Sequence, residues 1–122
     1  MERHLRLVLV LTLLVFLLTG CKLNTPTVVL KFEVTGSAPT AIVSYSYWFS
    51  VPDVQVGAVS LPWSYTRTVS PSPGDWACVE ADPNTSGGYS ITATVYENGA
   101  VLATNTVTDN TGQKAYASGV IY

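Results

Sequence analysis

Apolar and polar residues alternate along several short segments of this chain, and each segment ends at a cluster of turn-forming residues. Between Val28 and Thr35, apolar side chains occupy every second position. Because successive side chains of a β-strand point to opposite faces, this period of two predicts a strand with one buried face. No segment after Leu18 has the helical period. The pattern therefore predicts an all-β domain.

Seven segments carry β-strand patterns, and Gly, Pro, Asn, Asp and Ser cluster between them as turns require. Turns spaced about 8 to 12 residues apart are typical of an antiparallel β-sandwich. The mildly apolar stretch Val54–Ser60 is interpreted as an irregular connection. The predicted strands are Val28–Thr35, Ala41–Phe49, Leu61–Val69, Trp76–Ala81, Tyr89–Tyr96, Val101–Val107 and Lys114–Tyr122.

The segment Glu97–Ala100 reads Glu-Asn-Gly-Ala and predicts a β-hairpin. Asn-Gly is the preferred pair for a type I′ turn, because both central residues of that turn need a positive φ. A two-residue loop would place Val95 opposite Leu102 and Ala93 opposite Thr104. The apolar pattern weakens after Thr104, which indicates a bulge whose position the sequence leaves open.

The first twenty residues differ from the rest. Two arginines lie in residues 1–6, Leu7–Leu18 is apolar except for Thr12, and the small residues Thr19 and Gly20 follow. A membrane-spanning helix needs about 20 apolar residues, so this run is short for one. A basic start, a short apolar run and small residues predict a secretory signal peptide, a helix that precedes the sandwich. A membrane anchor or a buried helix is the alternative.

The tetrad Leu18–Cys21 resembles the bacterial lipobox, in which an aliphatic residue and two small residues precede a lipidated cysteine. The resemblance implies cleavage between Gly20 and Cys21 and a diacylglycerol on the Cys21 sulfur. Two or more acyl chains anchor a domain stably, since each buried CH₂ contributes about 0.8 kcal/mol. The predicted organisation is a signal peptide over 1–20, a lipidated tether over 21–27 and a sandwich over 28–122. The protein would lie on the cell membrane or outer membrane, facing the periplasm or the exterior.

Few residues are suited to catalysis or metal binding. His4 is the single histidine and lies in the predicted signal peptide, so the mature domain has no imidazole for a triad or a zinc site. Asp82–Gly87 superficially matches the start of a calcium loop, but Ala93 stands where a bidentate glutamate is needed, which favours a polar loop. The net charge of −2 gives no footprint for nucleic acid. We expect no enzymatic activity, no metal and no cofactor.

The remaining candidates are one cysteine and three tryptophans. With Cys21 lipidated, Cys78 has no disulfide partner and is expected to be a small buried hydrophobe, with a reactive thiol as the alternative. Tryptophan combines a large rigid surface with a polar tip and is enriched at interfaces. We expect Trp76 and one of Trp48 and Trp63 in the core. Trp48 and Trp63 are therefore the candidate partner-binding aromatics.

Three segments carry a resemblance to a known family: VVLKFEVTGSAPTAIVSYS (28–46), LPWSYTRTV (61–69) and ITATVYENGAVLATNTV (91–107). Together they resemble the mycobacterial small membrane protein family, MmpS. The resemblance implies an immunoglobulin-like sandwich and a role as accessory partner of RND-type (MmpL) lipid exporters. That family is tethered by a transmembrane helix, whereas this chain carries a lipobox.

These features predict a non-catalytic envelope lipoprotein that serves as an adaptor for a transporter, such as an RND-type lipid exporter, or for another envelope protein. The alternative is a lipoprotein that binds a lipid or a glycan through Trp48 or Trp63.

Overall fold

The computed structural model describes residues 26–83, 87–109 and 113–121. The predicted signal peptide, Gly20, Cys21 and most of the tether lie outside these residues. The described chain forms eight β-strands. They are β1 Val28–Gly36, β2 Thr40–Ser46, β3 Val54–Ser60, β4 Trp63–Val69, β5 Trp76–Asp82, β6 Tyr89–Glu97, β7 Ala100–Asp109 and β8 Ala115–Val120.

The strands form two four-stranded sheets packed face to face. Sheet A has the order β4-β1-β6-β7 and sheet B the order β3-β2-β5-β8. Every pairing within the sheets is antiparallel. The predicted all-β sandwich is confirmed, with eight strands in place of about seven.

The additional strand is β3, and the prediction of an irregular connection over Val54–Ser60 is wrong. The register with β2 runs Val43↔Gly57 and then Ser44↔Gln55, which leaves Val56 as the extra residue of a β-bulge. Gly57 has a φ of +91° there. The bulge shifts the inward-facing positions by one residue, so a strict period of two is absent from the sequence.

The core lies between the sheets and is built from the alternating residues that the sequence indicated. Leu30, Phe32 and Val34 of β1 are fully buried, as is Val43 of β2. The rings of Phe32 and Tyr45 stack across the two sheets with centroids 5.0 Å apart. Burying a large apolar side chain of this kind contributes about 1.5–3 kcal/mol.

Small residues occupy the core where β7 passes close to β8. Ala115 and Ala117 face inward from β8 and are buried, and a Cβ on Gly119 would lie 2.8 Å from Cγ of Leu102. Gly119 therefore makes room for the Leu102 side chain. The backbone N–H of Tyr116 also donates a hydrogen bond to Oδ1 of Asn105 at 3.2 Å, which joins the two edge strands.

The hairpin turn is confirmed, but the predicted register is wrong by one residue. Asn98 and Gly99 have φ of 49° and 83°, as a type I′ turn requires. Tyr96 pairs with Val101 and Val95 with Ala103, so Leu102 is the extra residue of a bulge. Ala93 accordingly lies opposite Asn105. The bulge lies next to the turn, whereas the sequence pattern weakened only after Thr104.

One end of the sandwich, here called the tether end, is where β1 begins after Pro26 and Thr27. The loops 47–53 and 70–75, the turn 98–99 and Ile121 lie at this same end. Two hydrogen bonds join the hairpin turn to the start of β1 at this end. The Asn98 Oδ1 accepts from the N–H of Val29, and the Asn98 N–H donates to the Val29 carbonyl, both at 2.9 Å.

We predict that Gly36→Ala lowers the free energy of unfolding by about 2 kcal/mol or more. Gly36 has a φ of +148°, and a Cβ there would overlap the carbonyl oxygen of Ser90 and lie 2.9 Å from Cα of Ile91. Urea denaturation followed by circular dichroism measures the change.

Gly99→Ala is the matched control. Gly99 also has a positive φ, but a Cβ there meets nothing within 4 Å. Its expected cost is only the backbone strain of about 1 kcal/mol. Equal losses in the two variants would contradict the steric account of Gly36.

Candidate interaction surface

An aromatic cluster fills the side of the sandwich on which the edge strands β3 and β4 lie, here called the β3–β4 side. Tyr45 is at its centre, with ring centroids 5.2 Å from Tyr65, 6.4 Å from Trp63 and 6.4 Å from Tyr47. Trp48 meets Tyr47 edge to face at 5.1 Å. The rings run from the core to the tether end without a break.

One cation packs on this cluster. The guanidinium carbon of Arg67 lies 4.6 Å from the centroid of the Tyr47 ring, within the range of a cation–π interaction. Arg67 is exposed on β4, so the interaction orders an otherwise mobile long side chain beside the aromatic surface.

The two candidate partner-binding tryptophans, Trp48 and Trp63, differ in burial and in position. Trp63 is half-buried and packs against the core, as expected for one member of the pair, whereas Trp48 is exposed at the tether end. The expectation that Trp76 is a core residue is wrong, since Trp76 is exposed as well. Its side chain lies on the opposite face of β5 from the core residues Ala77 and Val79.

The loop 47–53 is apolar but held in place. Strand β2 was expected to continue to Phe49, yet it ends at Ser46, whose Oγ accepts from the N–H groups of Trp48 and Phe49 at 3.3 and 3.1 Å. The Trp48 carbonyl accepts from the N–H of Trp76 at 3.4 Å, and the Tyr116 hydroxyl donates to the Ser50 carbonyl. These bonds fix a loop that exposes Phe49 and Val51.

Cys78 lies on the outer face of sheet B, between its strand neighbours Ser46 and Ser118. It is a free cysteine with no exposed surface, so the prediction of a buried residue is confirmed. Burial raises the pKa of its thiol to about 11. A thiol held protonated in this way is a poor nucleophile, which disfavours the alternative of a reactive cysteine.

The edge strand β3 is open to another strand. Among the described strands it pairs with β2 alone, so one row of its backbone N–H and C=O groups faces away from the sheet. The sequence VQVGAVS contains no charged residue and no proline, the usual protections of an edge, and only the bulge at Val56 interrupts it. On the other side of the sandwich, β7 and β8 cover each other.

The outer face of sheet A is polar except for Val29 and Val101 at the tether end. Nζ of Lys31 lies 2.7 Å from Oε2 of Glu33, and the Tyr96 hydroxyl donates to Oε1 of Glu33 at 3.1 Å. The Lys31 ammonium lowers the pKa of Glu33 and has its own pKa raised in return. Hydroxyl pairs between β6 and β7 continue the face, with Thr92 to Thr106 at 2.7 Å. The polar part of this face is therefore solvated and held by side-chain hydrogen bonds and one ion pair.

An apolar cavity of about 510 Å³ opens at the tether end. It is lined by Pro26, Val28, the loop residues 71–74, Val120 and Ile121, and no charged side chain contributes to the lining. The volume lies within the range of sites that bind small molecules, about 300–1,000 Å³. This cavity was not predictable from the sequence, because its residues come from three distant segments.

The described residues contain no group of three or more His, Cys, Asp or Glu side chains that could hold a metal. Within the same residues, no helix is long and apolar enough to cross a membrane. Glu80 accepts from Lys114 at 3.1 Å, so it is part of a surface ion pair.

A scan against protein-family models finds no match for this chain, and a search of curated proteins finds no significant match. The resemblance to MmpS and the lipobox at Cys21 therefore stay predictions.

We predict that Cys78 reacts with a disulfide reagent such as DTNB at least about 100-fold more slowly than an exposed thiol at pH 8, because a pKa near 11 leaves little thiolate. The rate should reach that of a free thiol in denaturant. A Thr108→Cys variant, at an exposed position of β7, provides the reactive control. Rapid labelling of Cys78 in the native protein would contradict the burial.

Proposed function

We propose that this chain is a non-catalytic lipoprotein of the bacterial envelope that acts as an adaptor for a membrane protein. A diacylglycerol on Cys21 would anchor it, and the sandwich would carry the binding surface. The observation that carries this proposal is the uncharged edge strand β3 beside an aromatic cluster.

An open edge strand recognises partners by β-augmentation. The backbone of an extended partner segment pairs with the free N–H and C=O groups, and side-chain pockets add specificity. Strand β3 offers such a row, and Val56 exposes apolar surface on it. On the same side, Trp63 and Tyr65 supply aromatic surface from β4, and Arg67 supplies a cation. These residue types are enriched where protein interfaces concentrate their binding energy.

The class of partner rests on the sequence resemblance to MmpS. That family's role beside RND-type exporters supports a transporter of lipids as the partner. This chain has a lipobox where MmpS has a transmembrane helix. Because the two anchors differ, the partner could also be another envelope protein. The chemistry available on the described residues supports binding: the lone thiol is buried, and the ionisable groups are spread over the surface.

Site-specific photocrosslinking in the native membrane tests the adaptor role. A benzophenone amino acid replaces Val56 on β3 or, as the matched control, Thr108 on β7. We expect a discrete protein adduct from position 56 and none from position 108. Val56→Lys should reduce co-purification of the same partner about tenfold, because an ammonium buried in a strand interface costs at least 1.4 kcal/mol.

Absence of any protein adduct at position 56 would contradict the adaptor role. Adducts to lipid or glycan alone would favour the alternative, a lipid- or glycan-binding lipoprotein. Equal adducts at positions 56 and 108 would show that the β3 edge is not the recognition surface.

A further inference from the structure

We propose that the tether end of the sandwich is a membrane-seating surface, which rests in the lipid–water interface of the bilayer to which Cys21 is anchored. The inference deepens the proposed function and rests on its lipid anchor. It assigns the end of the domain to lipid and leaves the β3–β4 side to the partner.

The exposed apolar side chains are concentrated at this end. Eight large hydrophobic residues of the described chain are exposed, and six of them lie at the tether end, with exposed fractions between 38 % and 69 %. The other two, Val56 and Tyr116, lie along the sides, and none lies at the opposite end. The six are Val29, Trp48, Phe49, Val51, Trp76 and Val101.

These six residues, here called the apolar rim, encircle the end of the sandwich. Val29 and Val101 lie on the outer face of sheet A, Trp76 lies on that of sheet B, and Trp48, Phe49 and Val51 belong to the loop 47–53. The apolar cavity opens between them. A bilayer contacts all sides of such a rim at once, whereas a protein partner would cover one side. Tryptophan also favours the membrane–water interface, where its ring is in an apolar layer and its N–H meets polar groups.

The backbone at this end is suited to partial dehydration. Pro26, Pro71 and Pro73 have no N–H group that would lose water. In the loop 70–75, the N–H of Ser72 donates to Oδ2 of Asp75 at 2.8 Å, and the N–H of Asp75 donates to the Ser72 carbonyl at 3.1 Å. In this loop, seating in the interface therefore leaves the N–H groups of Ser72 and Asp75 hydrogen-bonded, which lowers the cost of dehydration.

The chain outside the described residues leads from this end to the anchor. Five residue steps separate Cys21 from Pro26, and an extended chain of that length spans about 18 Å at most. The rim is thus confined near the bilayer surface whenever the anchor is inserted. This restriction reduces the entropic cost of seating, since the domain has already lost most of its translational freedom.

The charged side chains at the tether end limit how deeply the apolar rim enters the bilayer. The carboxylates of Asp53, Asp75 and Glu97 belong to this end. The cations Arg67 and Lys31 lie at neighbouring levels of β4 and β1, where Lys31 is paired with Glu33. Carboxylates stay hydrated, so the rim reaches the headgroup and upper acyl layers, about 5–10 Å deep, as interfacial helices do. With this charge balance, seating depends on apolar insertion and does not require anionic lipid.

Tryptophan quenching by brominated phospholipids tests the proposal. The native, anchored protein is isolated from membranes and reconstituted into phosphatidylcholine vesicles that contain lipid brominated on its acyl chains. Three variants each keep one tryptophan, with the other two replaced by phenylalanine. We expect Trp48 and Trp76 to be quenched at least twofold and Trp63, half-buried on the β3–β4 side, to be unaffected.

Two further variants separate seating from folding. Phe49→Ser with Val51→Ser alters exposed side chains of the loop 47–53, and we expect at least a twofold reduction in Trp48 quenching. Thr108→Ser, an exposed position of β7 far from the rim, should leave the quenching unchanged.

The possible outcomes distinguish the anchor from the seating surface. If Cys21→Ser abolishes membrane retention but Trp48 and Trp76 are not quenched in the anchored protein, the domain stands off on its tether and the seating proposal fails while the anchor holds. If Trp48 in native membranes instead crosslinks to a protein and is not quenched by lipid, the tether end is a protein interface and the proposal fails. If retention does not depend on Cys21, the lipoprotein proposal fails, while quenching of Trp48 and Trp76 would still support lipid seating.

Discussion

The stack of Phe32 on Tyr45 is the contact on which the arrangement of this sandwich depends. It joins the central strand β1 of sheet A to β2 of sheet B at a centroid distance of 5.0 Å, and the rings of Tyr65 and Trp63 extend it toward the β3–β4 side. On the other side, Ala115, Ala117 and Gly119 allow β7 and β8 to approach closely. The large side chains hold the edges β3 and β4 apart and open, whereas the small side chains let the edges β7 and β8 pack against each other. The surface available to a partner follows from this distribution of core volume.

The same arrangement gives the two ends of the domain different character. The tether end receives β1 from the predicted anchor and carries the apolar rim, the apolar cavity and the clamp between Asn98 and Val29. The opposite end carries the close approach of Gly36 to Ser90, with no large exposed hydrophobic residue among the described part of the chain. Under the proposed function, the apolar end beside the lipid anchor and the uncharged edge on one side orient the domain, so that the end contacts lipid and the side contacts the partner.

The strands with one buried face were predictable, because Val28–Thr35 and its counterparts alternate strictly and turn residues bound them. The Asn98–Gly99 turn was predictable for the same local reason. The bulge in β3 was not predictable, and the bulge in β7 was expected but not placed, since an extra residue at Val56 or Leu102 changes the pairing without changing the composition. In β3 the bulge breaks the period of two, so the whole strand was interpreted as an irregular connection. The prediction that Trp76 is a core residue failed because a tryptophan at the first position of a strand does not itself indicate which face of the sheet it lies on. Neither the cavity nor the apolar rim had a sequence signal, since distant loops meet there only after folding.

The orientation of the sandwich at the membrane and both proposed surfaces depend on the lipid anchor. The mass of the N-terminal peptide of the protein extracted from its native membrane shows whether that anchor exists. We expect this peptide to begin at Cys21, with residues 1–20 absent and a diacylglyceryl group on the Cys21 sulfur. A mature chain that retains Met1, or one that begins at an unmodified Cys21, would contradict the lipoprotein proposal.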